Sequence, residues 1–220
     1  MFELIKGAFI EDISGIQEGY PADVNAITAS VSAEKIPTLF EAFLNSMRED
    51  EPLFMFIEAP CSEEDECKYN NIKPGCTEEI KEYHWDVYYL DYYRRDDMMK
   101  LLKNGAGDVL INDGLVSFGF GSLETHVEIG KYRYNTFKAY SMDQDISCIS
   151  KVFDMTGIPR VSQLVTGWNV ITKENPGQSR HYKFNGKDIH DLLEDLKHLG
   201  LHKYETRGED SGEVVWKAQG

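Results

Sequence analysis

Between residues 24 and 112 the chain alternates segments of two hydrophobic periods, and their order limits the fold more than any other feature: strand, helix, strand, strand, helix, strand. In residues 24–31, Ile27, Ala29 and Val31 share one face by the two-residue period of a strand. Ser32 stands where a helix cap would. Ile36, Leu39, Phe40, Phe43, Leu44 and Met47 follow at the three-and-four spacing of an amphipathic helix, with Pro37 early enough to make its first turn irregular. Residues 52–60, apolar on both faces through Leu53, Phe54, Met55, Phe56 and Ile57, predict a central strand.

The third strand, residues 82–93, puts Tyr83, Trp85, Val87 and Tyr89 on one face and His84, Asp86, Tyr88 and Leu90 on the other. A helix then carries Met98, Leu101 and Leu102 inward and stops at Asn104-Gly105, a pair that accepts the left-handed conformation closing a helix. Residues 108–112, DVLIN, predict a fourth strand, which Asp113-Gly114 turns into the strand LVSFGFG. This order predicts an α+β fold: a ferredoxin-like split βαβ sandwich with an antiparallel sheet, both helices on one face and the other face left to water or a partner. If the helices cover the Trp85 row, His84, Asp86 and Tyr88 stand on the open face.

Past residue 122 the pattern becomes hairpin followed by helix, twice. Residues 145–158 and 188–201 match in register, with Gly157-Ile158 answering Gly200-Leu201. The preceding hairpins are expected from residues 125–129 with 132–140, and from 168–172 with 180–184 across Asn175-Pro176-Gly177. An internal repeat and ordinary helix capping both account for the match. The chain thus divides into residues 1–121, a hairpin-helix extension at 122–158 packed on it, and a smaller hairpin-helix-strand unit at 159–220.

Charge is lopsided. Residues 1–66 hold 15 acids against three bases, while the rest of the chain is nearly balanced, out of a net charge of −15. A one-signed surface attracts basic ligands and repels nucleic acid and anionic membrane. Nucleic-acid binding is further disfavoured because the adjacent pair Arg94-Arg95 runs straight into Asp96-Asp97. Hydrophobic residues make up 41% of the chain, enough for a core, and no apolar run reaches the roughly 18 residues that would span a bilayer. The first residues carry no export signal, so a cytoplasmic location is expected, with Cys61, Cys67, Cys76 and Cys148 as reduced thiols.

No catalytic fingerprint accompanies the charge: Walker, HExxH and GxSxG sequences are missing, and Phe118-Gly119-Phe120-Gly121 lacks the third glycine of a dinucleotide loop. Those glycines predict instead a strand closely approached by a neighbour. Glu58, Glu63, Glu64, Asp65 and Glu66 open a loop expected over residues 58–82, either a lure for a basic partner or a solvated charge run. Cys61, Cys67, Cys76 and His84 are four possible zinc ligands, but at spacings wider than the two to four residues of a tight knuckle. Glu124, His126 and Glu128 alternate on an expected strand and could bind a metal or shuttle protons; His190, Glu194 and His198 recur along one helix, where a solvated face is the plainer reading.

These features favour a protein-binding module with no catalytic residues, cofactor or metal. It would use the acidic run together with His84, Trp85, Asp86, Tyr88, Tyr92 and Tyr93, whose rings supply contact area at low entropic cost. In general character the chain resembles the immunity proteins that bacteria pair with secreted nuclease toxins, which are often small, acidic and α+β. The likeness is one of type, and no residues carry over from it. It implies an inhibitor that covers a basic toxin surface. The alternatives are a small-molecule or oligomeric binding domain on the open sheet, and a metal-dependent enzyme using Glu124, His126 and Glu128.

Overall fold

A computed structural model describes residues 1–21, 26–73, 80, 82–142 and 146–208. Cys76, Asp145 and the first two residues of the expected strand at 24–31 lie outside them. The chain forms β1 (Ala8–Ile10), β2 (Tyr20–Pro21), β3 (Ala26–Ser30), α1 (Ile36–Ser46), β4 (Leu53–Pro60), α2 (Glu63–Tyr69), β5 (His84–Tyr93), α3 (Arg95–Lys103) and α4 (Gly105–Asn112). There follow β6 (Ser117–Ser122), β7 (Val127–Tyr132), β8 (Thr136–Ser141), α5 (Ser147–Met155), β9 (Arg160–Val161), α6 (Gly167–Val170), β10 (Gly177–Ser179), α7 (Ile189–Lys197) and β11 (His202–Gly208).

The fold is α+β, built on one seven-stranded sheet of order β11-β5-β4-β6-β7-β8-β3 in which every pair is antiparallel. That order replaces the expected ferredoxin-like arrangement. A split βαβ sandwich would interleave β3 beside β5; here β3 pairs with β8 at the far edge and β11 takes the place next to β5. The helix α1 therefore carries the chain from one edge to the middle across three strands. Its Phe40 ring meets Phe118, Phe120 and Phe137 at 4.8, 5.3 and 5.4 Å, which ties the crossover to the sheet centre.

Strands from residues 1–121, 122–158 and 159–220 all belong to this sheet, and their apolar side chains share one core with α1, α3, α4, α5 and α7. Leu53, Met55 and Ile57 of β4, Leu90 of β5, Phe118 and Phe120 of β6, and Val127 and Ile129 of β7 point into it. A small second cluster of Ile10, Ile16 and Tyr134 joins the short β1–β10 pair to the β7–β8 turn.

Four sequence expectations change. DVLIN is the end of helix α4 rather than a strand: Val109, Leu110 and Ile111 are buried against neighbouring helices, and a Cβ on Gly107 would fall 1.8 Å from the Leu102 carbonyl oxygen, so only glycine permits the α3–α4 corner. Asn104 ends α3 in an extended conformation (φ −88, ψ 173), not a left-handed one, and serves at once as the cap of α4. The acidic run is not an open loop, because Ser62 caps α2 by accepting from the Asp65 N–H, and the four acids of its first turn sit where the helix dipole favours them. The hairpin at 168–184 is absent: a capping box between Thr166 and Asn169 opens α6, and β10 pairs with β1.

The matching ends of α5 and α7 have a local cause. Gly157 and Gly200 are both left-handed (φ 69 and 92), and the N–H groups of Ile158 and Leu201 bond back to the carbonyls of Phe153 and Leu196. This is one capping motif used twice.

Candidate functional site

The helix-bearing face and the helix-free face of the sheet divide the expected recognition residues between them. Alternation along β5 sends Asp86, Tyr88 and Leu90 to the covered side with Met55 and Ile57, and Trp85, Val87 and Tyr89 to the free side with Phe54, Phe56 and Glu58. This reverses the expected assignment of His84, Asp86 and Tyr88 to the open surface. The reason lies in β4, whose two faces are both apolar; the long side chains of α1 and α3 pack on the Met55 side, a choice that alternation does not encode.

On the covered side, at the β5–β11 edge, Asp86 is buried and fully engaged. It accepts from Thr206 Oγ1 at 2.6 Å, Tyr88 Oη at 3.2 Å and Lys203 Nζ at 2.7 Å. Burial pushes its carboxyl up, but Lys203, Thr206 and the Cys61 thiol outweigh that and hold it below the ordinary carboxylate range. Burial and the Asp86 charge drive the Cys61 thiol upward, which keeps it protonated and unreactive. Next to this network the buried Glu66 accepts from the His84 backbone N–H at 2.5 Å and meets His84 Nδ1 at 2.9 Å, with the Tyr69 ring 4.6 Å from the imidazole. Here the polar groups satisfy one another, which makes this edge a structural lock for α2 and β11.

Most of the acidic run meets the chain's own bases, at the surface except for the buried Glu66. Glu64 and Asp65 pair with Lys68 at 3.0 and 3.1 Å, Glu58 lies 3.7 Å from Arg207, and Glu63 is exposed at the start of α2. Other amino-terminal acids also meet the chain's own bases, Glu18 with Lys35, Glu41 with Lys103 and Asp50 with Arg48, so the carboxylates of residues 1–66 do not form one uncompensated field. Tyr92 is exposed and left-handed (φ 63) at a bulge of β5, and Tyr93, returned to the covered side, donates to the Leu199 carbonyl at 2.5 Å.

The helix-free face carries Trp85, which the sequence named, together with residues that sequence reasoning missed. Phe54 and Phe56 lie over the glycines of β6 and β7: a Cβ on Gly121 would meet Phe54 at 2.2 Å, and one on Gly119 or Gly130 would meet Phe56 at 2.5 or 2.7 Å. Around this floor stand Tyr89, Tyr132, Tyr140, Tyr204 and Trp85, with ring centroids 5.9 Å apart for Phe54–Tyr89, 6.4 Å for Phe56–Tyr132 and 5.6 Å for Tyr89–Tyr204. Charged groups edge it: Arg133 lies 5.0 Å over the Trp85 ring, Lys138 5.0 Å over Tyr132, and Arg207 pairs with Glu205 and Glu58. The signal for this face was present in the alternating glycines of FGFG, whose partners are named only by strand pairing.

Glu124, His126 and Glu128 do not form the expected row. Glu124 and His126 lie in the turn before β7, Glu124 paired with Arg48 and His126 left-handed (φ 51), while Glu128 alone stands on the sheet. Among the described residues no group of three His, Cys, Asp or Glu side chains could hold a metal ion, and no helix is long and apolar enough to cross a membrane. Cys61 and Cys67 are buried, and Cys76 lies outside the described residues. The chain matches no protein-family model, no curated protein and no solved structure.

Proposed function

We propose that this chain is an acidic protein-binding module of the immunity type, which neutralises a basic toxin or nuclease by covering its active surface, and that it binds through the helix-free face of the sheet. The observation that carries the reading is a set of aromatic rings, half-buried at Phe54, Tyr89 and Tyr132 and exposed at Tyr140 and Tyr204, on a sheet face that bears no helix among the described residues, in a chain of net charge −15. Aromatic centres ringed by polar groups are where binding energy concentrates in protein interfaces, and a large net charge of one sign accelerates encounter with a partner of the other. The acidic run of α2 contributes through that overall charge rather than as a separate lure. Such an inhibitor acts in the cytoplasm of the cell that makes the toxin, before export.

The test is co-expression with the product of the adjacent reading frame, followed by calorimetry on the purified pair. The reading expects a complex that weakens with salt and loses affinity in Trp85→Ala and Tyr132→Ala. A complex indifferent to both substitutions, or no complex, contradicts it.

A further inference from the structure

Among the acids of the helix-free face, Glu128 is set apart. It projects from β7 opposite Gly121 and Tyr140, is half-buried, and its carboxylate accepts from Tyr140 Oη at 2.8 Å. No lysine or arginine among the described residues pairs with it, whereas Glu58 and Glu205 on the same face share Arg207. Burial raises its carboxyl above the ordinary value, and the Tyr140 hydroxyl only partly offsets this. Burial and the Glu128 charge in turn push the phenols of Tyr89, Tyr132 and Tyr140 upward, so all three stay neutral. A desolvated carboxylate lined by neutral aromatic rings is complementary to a cation, which gains from the charge and from the ring faces together. The face already shows this preference at its rim, where Lys138 and Arg133 lie over Tyr132 and Trp85.

We infer that Glu128, set among Tyr89, Tyr132 and Tyr140, receives one cationic side chain, a lysine ammonium or an arginine guanidinium, from a basic protein partner. The inference rests on the binding reading above and names its anchor. Charge decides between occupants: a second copy of this chain carries the same net charge of −15 and is repelled overall, whereas a basic partner carries the opposite sign.

The test is NMR of the full chain carrying ¹³C-labelled Glu and Tyr, titrated with Nα-acetyl-arginine methylamide and, separately, with its uncharged citrulline analogue. The arginine compound shifts the Glu128 carboxyl and the three tyrosine rings saturably; the citrulline compound does not. Glu128→Gln lowers the affinity at least about tenfold. Equal response to both compounds, shifts shared evenly by the exposed acids, or unchanged affinity in Glu128→Gln overturns the inference, as do the same shifts produced by raising protein concentration alone. Should Glu128→Gln fail to fold, the wild-type chain still decides: bound cation lowers the Glu128 titration midpoint, and an unmoved midpoint is fatal. A site that binds the arginine compound in a chain that captures no product of the adjacent reading frame overturns the toxin-inhibitor reading instead, and leaves Glu128 as the anchor for a basic partner of another kind.

Discussion

The Lys131 ammonium donates to the Asp113 carbonyl oxygen at 2.8 Å, inside the core. Lys131 follows Val127 and Ile129 on the covered side of β7, is fully buried, and also reaches the carbonyls of Val116 at 2.9 Å and Leu110 at 3.4 Å. These are acceptors at the end of α4 and in the turn after it, which the lysine closes from across the sheet.

That placement makes stability depend on pH in a defined direction. Burial lowers Lys131 from 10.5 to about 7, against a weaker upward pull from Asp113. Between those values the unfolded chain holds the proton that the folded chain has given up, so the wild type gains stability as pH rises from about 7 towards 10.5. Urea unfolding of wild type and Lys131→Met at pH 7 and pH 10 should show the wild type gaining on the variant. Parallel behaviour at the two pH values would refute the assignment.

Asp113 fixes a second contact. Its buried carboxylate accepts from the N–H groups of Leu115 and Tyr182, at 2.9 and 3.0 Å, and meets His181 Nδ1 at 3.0 Å. Burial pulls His181 down, but the Asp113 hydrogen bond and charge outweigh it, leaving the imidazole above its ordinary value of 6.5. The pair's contribution is therefore complete below pH 6.5 and is lost as pH rises through the raised folded value. His181→Gln should cost more at pH 5.5 than at pH 8, by chemical denaturation. Asp113→Ala, which strands two N–H groups, should cost about 2 to 5 kcal/mol at either pH.

Gly121 and Phe54 should behave as a coupled pair, since the atoms nearest a Cβ at Gly121 all belong to the Phe54 ring. Gly121→Ala is expected to cost about 1 to 3 kcal/mol in the wild type and clearly less in a Phe54→Leu background. Additive costs in the double-mutant cycle would mean that the ring does not fill the space above the glycine.

The thiols differ in environment, and alkylation reads the difference. Cys148 is exposed at the start of α5, Cys61 and Cys67 are buried, and Cys61 is further suppressed by burial and the neighbouring Asp86. Iodoacetamide on the native chain, followed by peptide mass spectrometry, should modify Cys148 well before Cys61. Asp86→Asn removes one suppressing charge and should narrow the gap; labelling of Cys61 at the rate of Cys148 in the wild type would contradict the structure.

Helices α1, α5 and α7 were legible because each is written within a few turns of chain: apolar residues at helical spacing, with Gly157 and Gly200 placed to close two of them. Strands β4, β5 and β6 were legible for the same reason, and so was a hairpin at β7–β8, although its turn lies at Arg133–Asn135 and not at residues 130–131 as the sequence suggested. DVLIN was misread because five apolar-rich residues fit either period, and the Gly107 contact with Leu102 that decides for helix is invisible without the fold. The residues named for recognition were split by a fact of the same kind, since alternation along β5 separates Trp85 from Asp86 without saying which side the helices take.

What the chain's residue order determined by itself is the mixed α+β character, the amphipathic helices with their caps, the alternating strands and the strong negative charge. All of these depend on neighbours within a turn of helix or a single strand. Tertiary structure alone decided that β3 goes to the edge beside β8, that β11 returns to pair with β5, and that Lys131 is buried while the Phe54 and Tyr132 rings are left free of helices. Those choices rest on burial and hydrogen bonding between segments far apart in the chain, where the best total packing wins and no single segment holds the answer.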